Sequence, residues 1–300
     1  METRRARYVV VTPVKDEERF VEKTLQSMVV QTLRPVQWII VDDGSTDQTP
    51  RILERYAREH EFIHVVTRQR GEVRQPGSAV VRAFNRGYEA AADLKYDFIV
   101  KLDCDLSFQP DYFEKILGRM LADPRLGIAS GVYLETTDGT TWKEIGMPAY
   151  HACGASKVIR RECFEQMNGF IAARGWDTVD EIRAMARGWR TTHFPELKMH
   201  HWKPEGTGIG SMRTNYMHGE IYYVTGGGLF FFLFKVMHRF MQRPFIIAGV
   251  ALFWGYLRTM GSRKKRLVTR EEAACYRALL NGRIAGKIKR LFYSPQPEVV

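Results

Sequence analysis

The chain has 300 residues, 45% of them hydrophobic and 26% charged, with a formal net charge of +11. That length and balance suit one large domain or a domain with an appendage, and exclude a disordered or fibrous chain. The charge is concentrated: residues 258–300 hold eleven Lys and Arg against three Glu, while the first 257 residues are close to balanced, so a nucleic-acid-binding crevice is not what the composition suggests.

The amino terminus, METRRARYVVVTPV, runs from a basic stretch directly into a short strand, which is not a secretory pattern. Tyr8 to Thr12 reads as β-strand, and after Pro13 the positions Phe20, Thr24, Leu25, Met28 and Val29 fall at helical spacing until Arg34-Pro35. A strand at Val36 to Val41 follows. The next helix is expected to open at Thr49 as cap, with Pro50 in its first turn. Phe62 to Val66 reads as strand, Ser78 to Ala92 as helix, Phe98 to Leu102 as strand, Pro110 to Leu121 as helix and Thr191 to Phe194 as strand. This alternation predicts an α/β fold with a mostly parallel, Rossmann-like sheet flanked by helices. Four cysteines, at 104, 153, 163 and 275, have no metal-ligand spacing and are not needed as disulfides, which suits a reducing, cytoplasmic setting.

Two of these strands end in carboxylates. WIIVDDGSTDQT places Asp42 and Asp43 at the end of an apolar run, and FIVKLDCDLSF places Asp103 and Asp105 at the end of another. In an open α/β sheet both sites fall in the crevice outside the carboxyl ends of the strands. A lone DDGS is equally a polar turn with a capping role, but two acidic strand ends converge on one place. Asp103 and Asp105 would repel one another unless a cation lay between them. A hard divalent ion, Mg²⁺ or Mn²⁺, that keeps open positions for diphosphate oxygens fits them.

VVVTPVKDEERFVEKTLQSMVVQT, IIVDDGSTDQT and IVKLDCDLSF, in this order and spacing, resemble the successive signatures of family 2 glycosyltransferases of the GT-A fold. The resemblance continues through SKVIRRECFEQMNGF and GWDTVDEIRAMARGWRT, about two thirds of the chain. It implies transfer of a sugar from a UDP- or GDP-linked donor to a glycan or lipid-linked acceptor. By position, Pro13 and Glu17 would flank the nucleotide, Asp43 would read its base, Asp103 and Asp105 would hold the metal on the diphosphate, and Arg74 and Arg82 would lie on the sugar-nucleotide loop. Asp177 would be the general base of a single, inverting displacement; the competing reading is a cap for the helix that follows. Asp180 and Glu181 read as helix-surface or acceptor-loop residues. Of the adjacent His200 and His201, alternation lets at most one reach the site, and His201 is the candidate metal ligand. The chain departs from the family at Asp16-Glu17, where an Asn-Glu pair is usual, in the spacing from Gly77 to Asn85, and at Trp176-Asp177, where a Glu-Asp pair is usual. No Gln-x-x-Arg-Trp motif occurs, which argues against the processive subclass.

Beyond residue 215 the pattern changes. IYYVTGGGLFFFLFKVM (221–237) and PFIIAGVALFWGYL (244–257) are apolar and aromatic, yet each is short for a bilayer span. Thr269 and Glu272 form a capping box opening a basic amphipathic helix, with Tyr276, Leu280, Ile284, Ile288 and Leu291 on one face. The expectation is a catalytic domain over 1–215 and a helical extension over 216–300 that lies on the cytoplasmic face of a membrane, meets the acceptor or forms an oligomer interface. The alternatives are a polyprenyl-phosphate sugar synthase and, from another class, a non-catalytic membrane- or nucleic-acid-binding protein on a transferase fold.

Overall fold

The structure, a computed structural model, describes residues 5–67, 79–136, 138–204, 210–241 and 245–292. They fall in two compact units, Met1–Glu205 and Gly206–Val300. The first unit opens with the alternation read from the sequence: β1 (Tyr8–Val14), α1 (Val21–Val29), β2 (Gln37–Asp42), α2 (Thr49–Glu59), β3 (Ile63–Thr67), α3 (Ala79–Ala90) and β4 (Phe98–Leu102). It continues through β5 (Leu106–Phe108), α4 (Tyr112–Ala122), β6 (Leu126–Glu135), β7 (Lys143–Glu144), β8 (Ser156–Arg160), α5 (Arg161–Gln166), α6 (Trp176–Ala186) and β9 (Arg190–His201).

One sheet runs in the order β3-β2-β1-β4-β8-β6-β9-β5, with β7 on β6. The parallel part implied by the βαβ alternation is β3-β2-β1-β4. Beyond it the sheet is mixed, because β8 joins β4 antiparallel while β6 and β9 are parallel to each other. Residues alternate between two cores. Tyr8, Val10, Trp38, Ile40, Phe98 and Val100 pack beneath α1, α2 and α4, and Val9, Val11, Ile39, Val41 and Ile99 pack beneath α3 and α5. Burial on both faces is why these strands are continuous apolar runs.

Sequence reading lacks β5, β6, β7 and β8, and the longest of these, β6, is hidden because LGIASGVYLE interrupts its apolar residues with glycine and serine. The glycine has a packing reason: a methyl group at Gly131 would stand 2.1 Å from the carbonyl oxygen of Leu197, so its absence lets β9 come close. β9 in turn outruns its predicted end at Phe194. The ladder with β6 shifts register between Gly131 and Val132, opposite Phe194 and Lys198, and Pro195 sits in that irregularity while the strand continues to His201.

The second unit consists of α7 (Ser211–Val224), α8 (Leu229–Phe240), α9 (Ile247–Gly261) and α10 (Arg270–Phe292). Phe232 stacks on Tyr222 and Tyr256, with ring centroids 5.2 and 4.2 Å away. The capping box forms as read: Thr269 N donates to Glu272 Oε2 at 2.9 Å, and Glu272 N donates to Thr269 Oγ1 at 3.2 Å. The first half of the apolar face of α10 is covered rather than open. Ala273, Tyr276 and Leu280 are buried, so this part packs within the unit, and most of the unit's exposed apolar side chains are on α8 and α9. No helix among the described residues is long and apolar enough to cross a membrane.

Candidate active site

The carboxyl ends of β1, β2 and β4 lie side by side because Val14 is in register with Asp42 and Val11 with Lys101. Outside them is a cleft of about 220 Å³, lined by Pro13, Glu17, Asp43, Asp103 and Asp105 together with Lys15, Cys104 and the start of α3. Five residues singled out along 93 positions of sequence therefore meet at one place.

The two adjacent aspartates have different tasks. Asp42 is buried, and its Oδ1 accepts from Ser45 N at 2.9 Å and Ser45 Oγ at 2.6 Å, so it shapes the turn. Asp43 faces the cleft, and Lys15 Nζ donates to the carbonyl oxygens of Asp43 and Gly44 at 3.3 and 3.0 Å. The loop after β1 is stitched to this turn: Asp16 Oδ1 accepts from Thr46 N at 2.7 Å, and Asp16 takes the left-handed φ of 51° that Asp tolerates better than most residues. Thr49 is not the cap of α2. It lies inside the helix, and its hydroxyl accepts from Glu17 N at 2.9 Å, which fixes Glu17 at the cleft.

Asp105 is buried, and its Oδ1 has no hydrogen-bond partner among the described residues. Its Oδ2 lies 3.4 Å from His201 Nε2, and His201 Nδ1 lies 3.2 Å from Glu135 Oε1. Burial pulls the His201 pKa down, but the hydrogen bond and charge of Asp105, with the charges of Asp103 and Glu135, push it up to about 9. The Asp103 carboxyl is raised by burial; the Lys101 charge opposes the shift and the Asp105 charge adds to it. Lys101, buried beneath, holds Asp103 Oδ1 at 2.5 Å and the carbonyl oxygen of Gly154 at 2.7 Å. An orphaned, buried carboxylate oxygen beside a second carboxylate and an imidazole is a donor set that fits Mg²⁺ or Mn²⁺. Among the described residues no three His, Cys, Asp or Glu side chains are gathered tightly enough to hold a metal by themselves, so the remaining positions would fall to the ligand. His200 points the other way and packs on Trp142, centroids 4.4 Å apart, as alternation requires.

Asp177 does not cap α6. Gly175 is the N-cap, with no side-chain cap bond, and Asp177 sits in the first turn beside Gly154, where an added methyl group would stand 3.7 Å from its Oδ2. Asp180 and Glu181 prove not to be surface residues: both are buried, because α6 turns them toward Lys157 of β8. Lys157 Nζ donates to Asp180 Oδ1 and Oδ2 at 2.8 and 2.7 Å and to the Asp177 carbonyl oxygen at 2.6 Å. Burial opposes its charge, but Asp180, Glu181 and Asp177 outweigh that and raise its pKa. Glu181 accepts from Ala152 N at 2.7 Å and pairs with His151 Nδ1 at 3.0 Å. Trp176, which stands where the resemblance leads one to expect Glu, offers its ring to both lysines, with Lys101 and Lys157 Nζ 5.4 and 5.5 Å from its centroid.

Arg82 is on α3 but is not among the residues lining the cleft, and Arg74 lies outside the described residues, as do positions 206–209 of the glycine-rich loop. Sequence reasoning missed Lys15, Lys157 and Lys203. A lysine within the apolar strand SKVIR is the one available signal for Lys157; Lys203, 2.5 Å from Glu17 Oε1, gives none.

Residues 9–175 match the family Glycosyl transferase family 2. Glycosyltransferase AglD of Haloferax volcanii is 29% identical over 232 residues, covering 66% of this chain and 33% of that protein. Glycosyltransferase GlyA of Streptococcus pneumoniae is 24% identical over 148 residues, covering 49% of this chain and 19% of that protein. The chain thus spans a third or less of the length of these relatives. Among solved structures, the mannosyltransferase PcManGT from Pyrobaculum calidifontis, in complex with GDP-Man and Mn²⁺, superposes with a TM-score of 0.57 at 19% identity over 98% of this chain and 82% of that one. S. aureus TarS in complex with UDP-GlcNAc gives 0.53 at 14% over 90% and 78%. These likenesses are of fold.

Proposed function

The chain belongs to glycosyl transferase family 2, and on that premise we propose that it transfers a sugar from a nucleoside-diphosphate sugar to a glycan or lipid-linked acceptor, inverting the anomeric centre. The observation that carries this reading is the convergence of Glu17, Asp43, Asp103 and Asp105 on one cleft at the ends of three neighbouring strands. The GDP-Man and UDP-GlcNAc held by two proteins of like fold support the donor class. In this reading Asp43 accepts hydrogen bonds from the base, and Pro13 and Glu17 flank the nucleoside. Asp105 and Asp103, with His201 beside them and the ligand completing the set, would hold Mg²⁺ or Mn²⁺, which when bound neutralises diphosphate charge. Lys15, anchored on backbone carbonyls, adds positive charge of the chain's own at the cleft. Asp177 takes the proton of the acceptor hydroxyl as it attacks the anomeric carbon from the face opposite the leaving diphosphate.

The test is a screen of nucleotide sugars for Mn²⁺-dependent thermal stabilisation, since a ligand that binds the folded state raises the melting temperature by mass action. Asp105→Asn is expected to lose the metal-dependent part while melting cooperatively without ligand. Donor affinity that is the same in Asp105→Asn and wild type, with or without chelator, would overturn the metal assignment. With the donor known, partition of labelled product into organic solvent separates a polyprenyl-phosphate acceptor from a glycan one.

A further inference from the structure

The second unit leaves much apolar surface outside. Among the described residues, fifteen of the eighteen large hydrophobic side chains that stand exposed lie between Met212 and Met260. On α8, Phe230, Leu233, Phe234 and Met237 follow the i, i+3, i+4, i+7 spacing of one helix face, with Phe230 58% and Met237 60% exposed, while Phe232 and Val236 are buried. Both sides of α8 are therefore apolar. α9 does the same, with Ile247, Val250 and Trp254 exposed and Leu252 and Tyr256 buried. Ile247, Val250 and Trp254 also line a groove of about 690 Å³ with Met212 and Tyr216, and Arg213 is the charged residue in its lining. Exposed apolar surface of this extent marks a site of interaction.

Charge selects the occupant. Residues 206–300 hold fifteen Lys and Arg against four Glu, which is the whole of the chain's +11. A second copy would bring the same net charge and be repelled, whereas an anionic bilayer attracts the unit and offers an apolar boundary to the aromatic side chains. α9 has 15 residues, about 22 Å at the helical rise, which is short of the roughly 30 Å hydrocarbon layer. We propose that this unit docks in the plane of an anionic phospholipid bilayer, with the outer faces of α8 and α9 at the headgroup boundary, a lipid chain in the groove and Arg213 available to its phosphate. The inference uses no residue of the cleft, so it stands or falls independently of glycosyl transfer.

Full-length protein is sedimented with vesicles of phosphatidylcholine with or without phosphatidylglycerol. It is expected to pellet with the anionic vesicles, and less so at high salt. Phe230→Ser/Phe234→Ser/Trp254→Ser is expected to lower partitioning by at least about tenfold, with an unchanged circular dichroism spectrum. A measurement that does not depend on that variant is tryptophan quenching by brominated phospholipid, which should fall in Trp254→Phe while the protein still pellets. Wild-type protein that ignores anionic vesicles, a triple variant that binds as wild type, or quenching unaltered by Trp254→Phe would overturn the proposal. So would a wild-type dimer that dissociates on the triple substitution, since the face would then belong to a second copy.

Discussion

Asp177 and His151 show how burial and partners set the task of a single residue. Asp177 makes no capping bond, and Lys157 donates to its backbone carbonyl oxygen, so the proposal that its carboxylate is the general base has a direct test. Asp177→Asn is expected to lower turnover by about 10²-fold or more, the scale of a lost general base, with donor-induced stabilisation unchanged; near-normal turnover would remove it from the reaction. His151 has its pKa raised above the ordinary 6.5: burial pulls it down, and the charge and hydrogen bond of Glu181 more than compensate. A raised folded-state value means that the pair's stabilisation is fully present below the unfolded value and is lost as pH rises through the folded one. The gap in melting temperature between wild type and His151→Gln should therefore be widest at mildly acid pH and narrow as the solution becomes alkaline. A gap that widened with pH would refute this account of the pair.

At the scale of elements, the segment 151–157 ties the two sides of the site together. Ala152 N meets Glu181, the Gly154 carbonyl oxygen meets Lys101, the Ala155 carbonyl oxygen receives Asp103 N at 2.8 Å, and Lys157 meets α6. Lys157 is fully buried with two carboxylates, and breaking a buried pair by removing one partner costs about 3–5 kcal/mol because it strands the other charge. Lys157→Met should lose that much in denaturant unfolding, and adding Asp180→Leu should restore part of it. A single variant within about 1 kcal/mol of wild type would mean that the network contributes little to holding α6.

At the scale of the molecule, the first unit has its own two-faced core and all of the described residues that line the cleft. Units with separate cores fold separately as a rule. A chain ending at residue 205 is expected to melt cooperatively and to keep its nucleotide-sugar stabilisation, while losing affinity for anionic vesicles. Loss of donor stabilisation in a folded truncation would show that the cleft needs residues 206–300.

Local pattern alone determined the strand and helix alternation through β4, the two acidic strand ends and the family, because apolar periodicity, turn residues and short motifs are properties of contiguous sequence. Asp42 and Asp43 already announced a crevice, and His200 and His201 already announced that only one could reach it. Tertiary structure decided what depends on partners far along the chain. It turned Asp180 and Glu181 inward because Lys157, more than 20 positions earlier, lies beneath them. It carried β9 past Pro195 because β6 offers a ladder there, gave the Thr49 hydroxyl to Glu17, and packed the first half of the apolar face of α10 within its unit while leaving apolar faces of α8 and α9 outside. Periodicity tells which residues share a face of a helix; only the packed neighbours decide whether that face is covered.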